Sequence, residues 1–479
     1  MSIASQKIIL SAAGAAGVVG GGFLTEFGVL NSSSIYVDVI DKPKEALSVF
    51  GASWSDHVYL AGRTYPYTGG SSAYESMWAG MVDSSDGSMP DSFSDFNTQN
   101  AGQPWFMRIN EMPIYRDTST YDNAAIWAGQ MATYAQGYLV NYIYSNTWVY
   151  STGRQWKTST DFTYCAKFEN PTATNQRALF TGGTRLVGGT DYRATVDRTN
   201  TSHSITNSAT VTYSQGRNDN THALVVKASN NYVVCNNRFD GNNFSGHTAF
   251  SSSLGFAGAY KLSISSTYGN NDVLVWQGYA KSICSENTGN QHTYSAGVFT
   301  GNSTINNSQQ IGYLSCISGT SSLSMQWNKG YYEYGTAISF NSVDLANDGD
   351  LLVGGMYGTD SGLIMKIDKD DGSIIYAKTI KSAASNNNVN SVVMHSDGRL
   401  IVSGRLFANN DQYVAFISED TLGDFGDYEF VDVSGNITTA TVATMSTVSV
   451  TADTPSISTS APGSASASVD LDTSVLTLA

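Results

Sequence analysis

The sequence predicts an all-β fold, specifically a β-propeller. Three observations carry that reading: a strand-forming composition, a repeat of about fifty residues, and Asp-Gly turns at fixed places inside it. The polar part of the chain is Ser, Thr, Asn and Gly, while charged residues make up only 14% against 41% hydrophobic. Helix surfaces need Glu, Lys, Arg and Gln, which are scarce here. Thr, Tyr, Val and Ile suit a pleated, half-buried surface. With 46 Gly, 28 Tyr and 8 Pro, the composition predicts many strands joined by many turns.

The repeat is clearest near the C-terminus. Phe340 to Gly355 reads FNSVDLANDGDLLVGG, and Val389 to Gly404 reads VNSVVMHSDGRLIVSG, at an offset of 49 with eight of sixteen positions identical. Each copy predicts strand, tight turn, strand, with Asn-Asp-Gly or Ser-Asp-Gly supplying the turn. A third strand follows at Leu363 to Ile367 and Tyr413 to Ile417, and a fourth at Ile374 to Ala377. Four antiparallel strands in about fifty residues is the size of one propeller blade.

Weaker copies lie upstream at Ser55 to Gly62, Leu186 to Gly189, Tyr232 to Asn237 and Tyr294 to Gly297, with the loosest at Tyr138 to Tyr142. Aligning positions 62, 142, 189, 237, 297, 355 and 404 gives spacings of 80, 47, 48, 60, 58 and 49. These predict seven blades of four strands, with six or eight compatible with the degenerate middle copies. A lone four-stranded sheet cannot bury both faces, and packing blades around an axis does so. The motif N-S-V-x-x-x-x-D-G-x-L-x-V-x-G at 341–355 and 390–404 resembles the degenerate propeller repeats of bacterial surface proteins and of tailed-phage virion proteins. The small-residue opening Met1 to Gly22 is similar in style to the starts of virion structural proteins of marine phages.

Three stretches fall outside the repeat. Residues 1–34 are expected to be a retained docking segment, with a cleaved signal peptide as the alternative, because Gly interrupts the apolar run. Within the propeller, 35–436, the 80-residue spacing implies an insertion at about 97–123, bearing Trp105, Phe106 and Tyr115. Those aromatics are the candidate binding residues, on a loop that is either a contact surface or a packed cap. Residues 437–479 are Ser, Thr, Val and Ala with almost no charge, and predict extended strands needing a partner surface, or a disordered stalk.

Little in the sequence nominates chemistry. A net charge of -15 and a pI near 4.7 disfavour phosphate backbones and anionic membranes as partners. Cys165, Cys235, Cys284 and Cys316 lie in apolar runs and are expected to be buried free thiols. The six histidines show no metal-binding spacing, and His57 and His395 are read as turn residues. Asp83 to Gly87 and Asp368 to Gly372 could ligate calcium, but they lack the closing Glu of a calcium loop and are read as hairpin turns. No catalytic residue, metal or cofactor is assigned.

The resemblance implies a non-enzymatic virion protein of a tailed phage. Its terminal segments would join other tail proteins in a homo-oligomeric assembly, and its loops would be available to a host glycan or surface protein. The alternative is a secreted or surface bacterial propeller that binds carbohydrate or protein. A propeller-fold glycosidase is a third reading, without a nominated carboxylate pair.

Overall fold

The computed structural model describes residues 23–27, 35–39, 57–64, 76–83, 87, 94–100, 103–105, 107–111, 114–115, 123–131, 136–144, 148–156, 162–168, 179–187, 191–199, 205–213, 219–227, 232–239, 244–269, 282–286, 292–382, 386–395, 397–406, 412–420, 424–425, 428–455, 459–460, 465–468 and 473–477, with side chains between 164 and 455. Nearly every described element is a strand, and every pairing is antiparallel.

The described strands form seven sheets. The first takes Ile35–Val39, His57–Thr64, Ser76–Asp83 and Ser94–Asn100 in chain order. The second takes Met107–Glu111, Asn123–Met131, Gln136–Tyr144 and Trp148–Trp156. Phe162–Phe168, Leu179–Val187, Asp191–Thr199 and Ile205–Thr212 make the third. The fourth is Asn220–Lys227, Tyr232–Phe239, Phe244–Phe250 and Phe256–Ile264. In the fifth are Ile283–Ser285, Thr293–Thr300, Gln310–Ser318 and Ser324–Tyr332. The sixth holds Ile338–Leu345, Leu351–Tyr357, Ser361–Ile367 and Ile374–Ser382. The seventh has Asn387–Met394, Leu400–Leu406 and Gln412–Ile417. Its fourth strand comes from the other end of the chain, because Phe23–Phe27 pairs with Gln412–Ile417.

Each sheet packs on the next, and the seventh returns to the first, so the circuit closes in the manner of a β-propeller. The core therefore lies between sheets. One layer joins Leu352, Ile364 and Ile380 of the sixth to Val389, Val402 and Tyr413 of the seventh. Another joins Leu314, Cys316 and Tyr331 of the fifth to Phe340, Val353 and Met365 of the sixth. All four cysteines are buried and in no disulfide, Cys284 and Cys316 in the layer between the fifth and sixth sheets and Cys165 and Cys235 in the layer between the third and fourth.

Closure by the N-terminal strand is only half of how the ring is fastened. From residue 428 the chain runs back around the outside and adds one strand to the outer edge of every sheet. Tyr428–Asp432 joins the sixth, Thr438–Ala440 the fifth, Ala443–Thr447 the fourth and Thr451–Asp453 the third. Thr459–Ser460 then joins the second, Ala465–Ser468 the first and Thr473–Thr477 the seventh, against Phe23–Phe27. Such pairing covers sheet edges, which otherwise present unpaired N–H and C=O groups to other chains. Asn328, buried in the last meander strand of the fifth sheet, clasps this belt. Its Nδ2 donates to Ala443 O at 2.8 Å, and its Oδ1 accepts from Val442 N at 3.0 Å and Ala443 N at 2.8 Å.

The Asp-Gly turns of the repeat form as the sequence predicts. Gly349 and Gly398 take φ of +95° and +91°, and Asp348 and Asp397 each accept a backbone N–H two residues on. The Asn that opens the motif, at 341 and 390, is the extra residue of a β-bulge in the innermost strand. Asn110, Tyr164 and His222 occupy the same bulge in the second, third and fourth sheets. A bulge sharpens strand twist where inner strands crowd around an axis. Neighbouring sheets also meet at the bulges: Asn341 Nδ2 donates at 2.8 Å to Val389 O, beside the bulge residue Asn390, and Tyr164 stacks on His222 at 5.7 Å.

Two alignments made from the sequence are corrected. In the second sheet the strand equivalent to Leu351–Tyr357 is Asn123–Met131, with Gly129 at the position of Gly355, whereas Tyr138 to Tyr142 falls on the third strand. In the third sheet that position is Gly183 and not Gly189. The equivalent residues are then 62, 129, 183, 237, 297, 355 and 404, spaced by 67, 54, 54, 60, 58 and 49. Within the stretch 97–123, expected to be an insertion, the described residues are strands of the first two sheets. The stretch completes Ser94–Asn100, adds the short strand Gln103–Trp105 and supplies Met107–Glu111, the inner strand of the second sheet. The strand Phe23–Phe27 lies inside 1–34, the stretch read as a docking segment, while residues 1–22 lie outside the described residues.

Candidate functional site

The candidates Trp105 and Tyr115 stand at the ends of short strands, Gln103–Trp105 and Ile114–Tyr115, with side chains outside the described residues. Phe106 lies wholly outside them. Among the described side chains, two clusters combine charge or aromatic surface with contributions from several sheets. They sit at opposite ends of the strands.

The first lies where the hairpin turns between first and second, and third and fourth, strands gather. Glu286 is its hub. Its carboxylate accepts from Tyr294 OH at 3.1 Å and pairs with Lys369 Nζ at 3.3 Å and His292 Nδ1 at 3.4 Å. Lys227, fully buried at the end of an inner strand, donates to Gly319 O at 2.7 Å. Burial pulls its pKa down to about 8, against the opposing pull of Cys316 and Glu286. Burial likewise pushes the Cys316 thiol up to about 12. These contacts join sheets: Lys227 ties the fourth to the fifth, while Lys369 and Trp327 Nε1, which donates to Lys369 O at 2.9 Å, tie the fifth to the sixth. Lys366 continues the series by pairing with Asp348 at 2.6 Å and with Glu419 of the seventh sheet at 2.9 Å. The arrangement latches turns between sheets.

The acidic turn Asp368 to Gly372 belongs to this end. Its carboxylates face its own backbone, since Asp368 Oδ1 accepts from Asp370 N at 2.8 Å and Asp371 Oδ1 from Ser373 N at 2.7 Å. No group of His, Cys, Asp or Glu among the described residues is placed to hold a metal ion. Of the other acidic turn, only Asp83, closing a strand, and Gly87 are described.

The second cluster lies at the far end of the strands and is aromatic. Tyr332 ends the last meander strand of the fifth sheet, and a tight hairpin carries Glu333 and Tyr334 beyond it, closed by Thr336 N donating to Glu333 O at 3.0 Å. Tyr334 is 68% exposed, the most open large hydrophobic side chain among the described residues. Tyr268, after the fourth sheet, tilts against Tyr332 with ring centroids 6.4 Å apart. Tyr357, at a strand end of the sixth sheet, donates its hydroxyl to Glu333, and Asn436 Nδ2 of the belt donates to that hydroxyl at 3.4 Å. Beneath the hairpin, fully buried Asn306 holds Gln310 O at 3.0 Å and Thr336 O at 3.4 Å through Nδ2, and its Oδ1 has no protein partner. A Cβ at Gly335 or Gly435 would meet nothing within 4 Å, so the surface beside both turns is open. Chemically the patch offers phenol faces, a carboxylate and an amide on rigid strand ends.

No single stretch of sequence marks this patch, because its members come from the fourth, fifth and sixth sheets and the belt. The only local signal is the run Tyr331-Tyr332-Glu333-Tyr334, which as sequence reads as the end of a buried strand.

No family model matches the chain, and no curated protein matches it. Among solved structures it is similar to MPT-4, a mannose phosphorylase from Leishmania mexicana, solved in complex with phosphate ion. That likeness has a TM-score of 0.25 and 11% identity, over 65% of this chain and 89% of that one. A likeness of that size carries no argument about function.

Proposed function

We propose that this chain is a non-enzymatic structural propeller that presents a binding surface within a larger assembly, and that the assembly is the tail of a phage virion. The observation that carries the reading is the belt. One continuous segment, 428–477, pairs with the outer edge of all seven sheets and ends on the N-terminal strand. Opening any sheet from its edge then requires stripping the belt, which favours slow unfolding in a part exposed outside a cell. The charged residues at one end join sheets, and the tyrosine patch at the other is the open surface on which a partner could act. The virion assignment draws on the repeat motif at 341–355 and 390–404 and on the resemblance stated for it.

Density-gradient fractionation of the natural source, followed by mass spectrometry of each fraction, tests the reading. The expected result is co-sedimentation with DNA-containing particles. Recovery of the chain solely as free protein in the medium would replace the virion assignment with a secreted binding propeller.

A further inference from the structure

We propose that the tyrosine patch of Tyr268, Tyr332, Tyr334 and Tyr357, with Glu333 and Asn436, is a binding site for a neutral oligosaccharide. The inference rests on the reading of the chain as a binding propeller and names the ligand class of its open end. Three features point there.

The first is the phenol at Tyr334. A ring 68% exposed on a hairpin tip gains nothing from burial within the fold, and it presents a flat apolar face to solvent. The apolar C–H face of a pyranose matches such a ring, while its hydroxyls need donors and acceptors at the rim. Tyr332 and Tyr268, half-buried and in mutual contact, add two more phenols, with Tyr332 directly preceding the hairpin that carries Tyr334.

The second is the polar rim. Glu333 is held by the Tyr357 hydroxyl and Tyr357 in turn by Asn436, so the carboxylate and the amide are fixed in place before any ligand arrives. A carboxylate has two oxygens and about four acceptor sites, more than the Tyr357 contact uses. Preorganised acceptors beside an aromatic face suit a ligand rich in hydroxyl donors, because little ordering entropy remains to be lost on binding.

The third is charge. The patch carries Glu333, and the chain as a whole has a net charge of -15. Acidic sugars would be repelled, so the ligand is neutral.

The test is saturation-transfer-difference NMR on the full chain, with laminarihexaose, maltohexaose and chitohexaose as neutral probes and oligogalacturonate as the acidic one. Saturation transfer to a neutral oligosaccharide is expected. It should weaken at least about tenfold in Tyr334→Ala and in Glu333→Gln, while Tyr334→Phe, which keeps the ring face, retains it. Tyr334 is exposed, so its removal leaves the fold intact, and an unchanged thermal midpoint for each variant confirms that. Absence of transfer to all three neutral probes overturns the inference. So does equal transfer to wild type and Tyr334→Ala, or stronger transfer to oligogalacturonate. Because the virion reading is decided by co-sedimentation with particles, either conclusion can fail while the other stands.

Discussion

The Tyr413 ring lies across Gly404 on the neighbouring strand, so closely that a Cβ added to Gly404 would fall inside the ring's van der Waals surface. The Tyr413 hydroxyl reaches over it to donate to Asn387 Oδ1 at 2.8 Å, and both residues are fully buried. The same cross-strand pairing of Gly with an aromatic residue recurs as Gly297 with Tyr313, Gly129 with Tyr138 and Gly62 with Trp78. At Gly404 the ring opposite explains the repeat's terminal Gly, whereas Gly355 stands opposite Leu363 and is kept small by the backbone of Ser339. Gly404→Ala is expected to cost about 1–3 kcal/mol or more through overpacking. Gly398→Ala, at a positive-φ turn with open space around it, should cost about 1–2 kcal/mol from backbone strain alone. Urea denaturation with a Tyr413→Leu background separates the two: relief of the Gly404→Ala penalty, and not of the Gly398→Ala penalty, is the expected outcome.

The clasp at Asn328 makes a different kind of prediction, local before it is global. Asn328→Ala removes three hydrogen bonds and leaves Val442 N and Ala443 N without their acceptor in a buried setting. Each unsatisfied buried group costs about 1–3 kcal/mol. Hydrogen exchange should accelerate first across 438–453, and limited proteolysis should cut there before the meander strands are touched. Uniform acceleration over all seven sheets would mean that the belt and the ring open as one unit.

How far these features can be read in the sequence depends on how local their causes are. The bulge Asn, the Asp-Gly turn and the terminal Gly, crowded by its own sheet, all act within one sheet, so 341–355 and 390–404 stand out as copies. In the second sheet the alternating run Tyr138 to Tyr142 matches a second strand as well as a third, because alternation alone does not say which neighbour a strand pairs with. Gly129, the true equivalent, sits in an Ala-rich strand whose weak hydrophobic pattern hid it. The belt was legible only as extended chain in need of a partner. Which sheet receives Thr451–Asp453 or Ala465–Ser468 is fixed by the path around the ring. The tyrosine patch had no signal of its own, since Tyr268, Tyr334, Tyr357 and Asn436 are brought together by sheet order.

Inside the third sheet, Arg185, Asp197 and Ser208 form a buried ionic triad across three adjacent strands. The Arg185 guanidinium contacts both Asp197 oxygens at 3.2 and 3.3 Å and Ser208 Oγ at 3.0 Å, and Ser208 Oγ donates to Asp197 Oδ1 at 2.5 Å. Arg185 and Asp197 are each only 5% exposed. Removing one partner strands a buried charge, so Asp197→Ala should cost about 3–5 kcal/mol. Replacing the triad together with Arg185→Met, Asp197→Leu and Ser208→Ala should recover most of that loss, measured by the same denaturation. A triple variant as unstable as Asp197→Ala would mean that the sheet needs the triad's geometry and not merely its neutrality.

A second buried network makes stability depend on pH. His247 is fully buried, with Nδ1 at 3.0 Å from Asn236 Oδ1. Asn236 bridges to the fifth sheet by donating to Ser282 O at 3.1 Å and accepting from Ser295 Oγ at 3.0 Å. Since Asn236 Oδ1 can only accept, the neutral imidazole carries its proton on Nδ1. Burial pulls the His247 pKa down from 6.5 to about 3. Between those values the unfolded chain binds a proton that the folded chain does not. Stability contributed by neutral His247 is therefore complete above pH 6.5 and falls as pH drops toward 3. The slope is about 1.4 kcal/mol per pH unit. His247→Gln lacks the titrating group, so from about pH 6.5 down to about pH 5, above most carboxylate titration, its stability should fall less steeply than that of wild type. Urea midpoints at several pH values in that window check the difference, and parallel profiles for the two proteins would show that His247 is protonated in the fold.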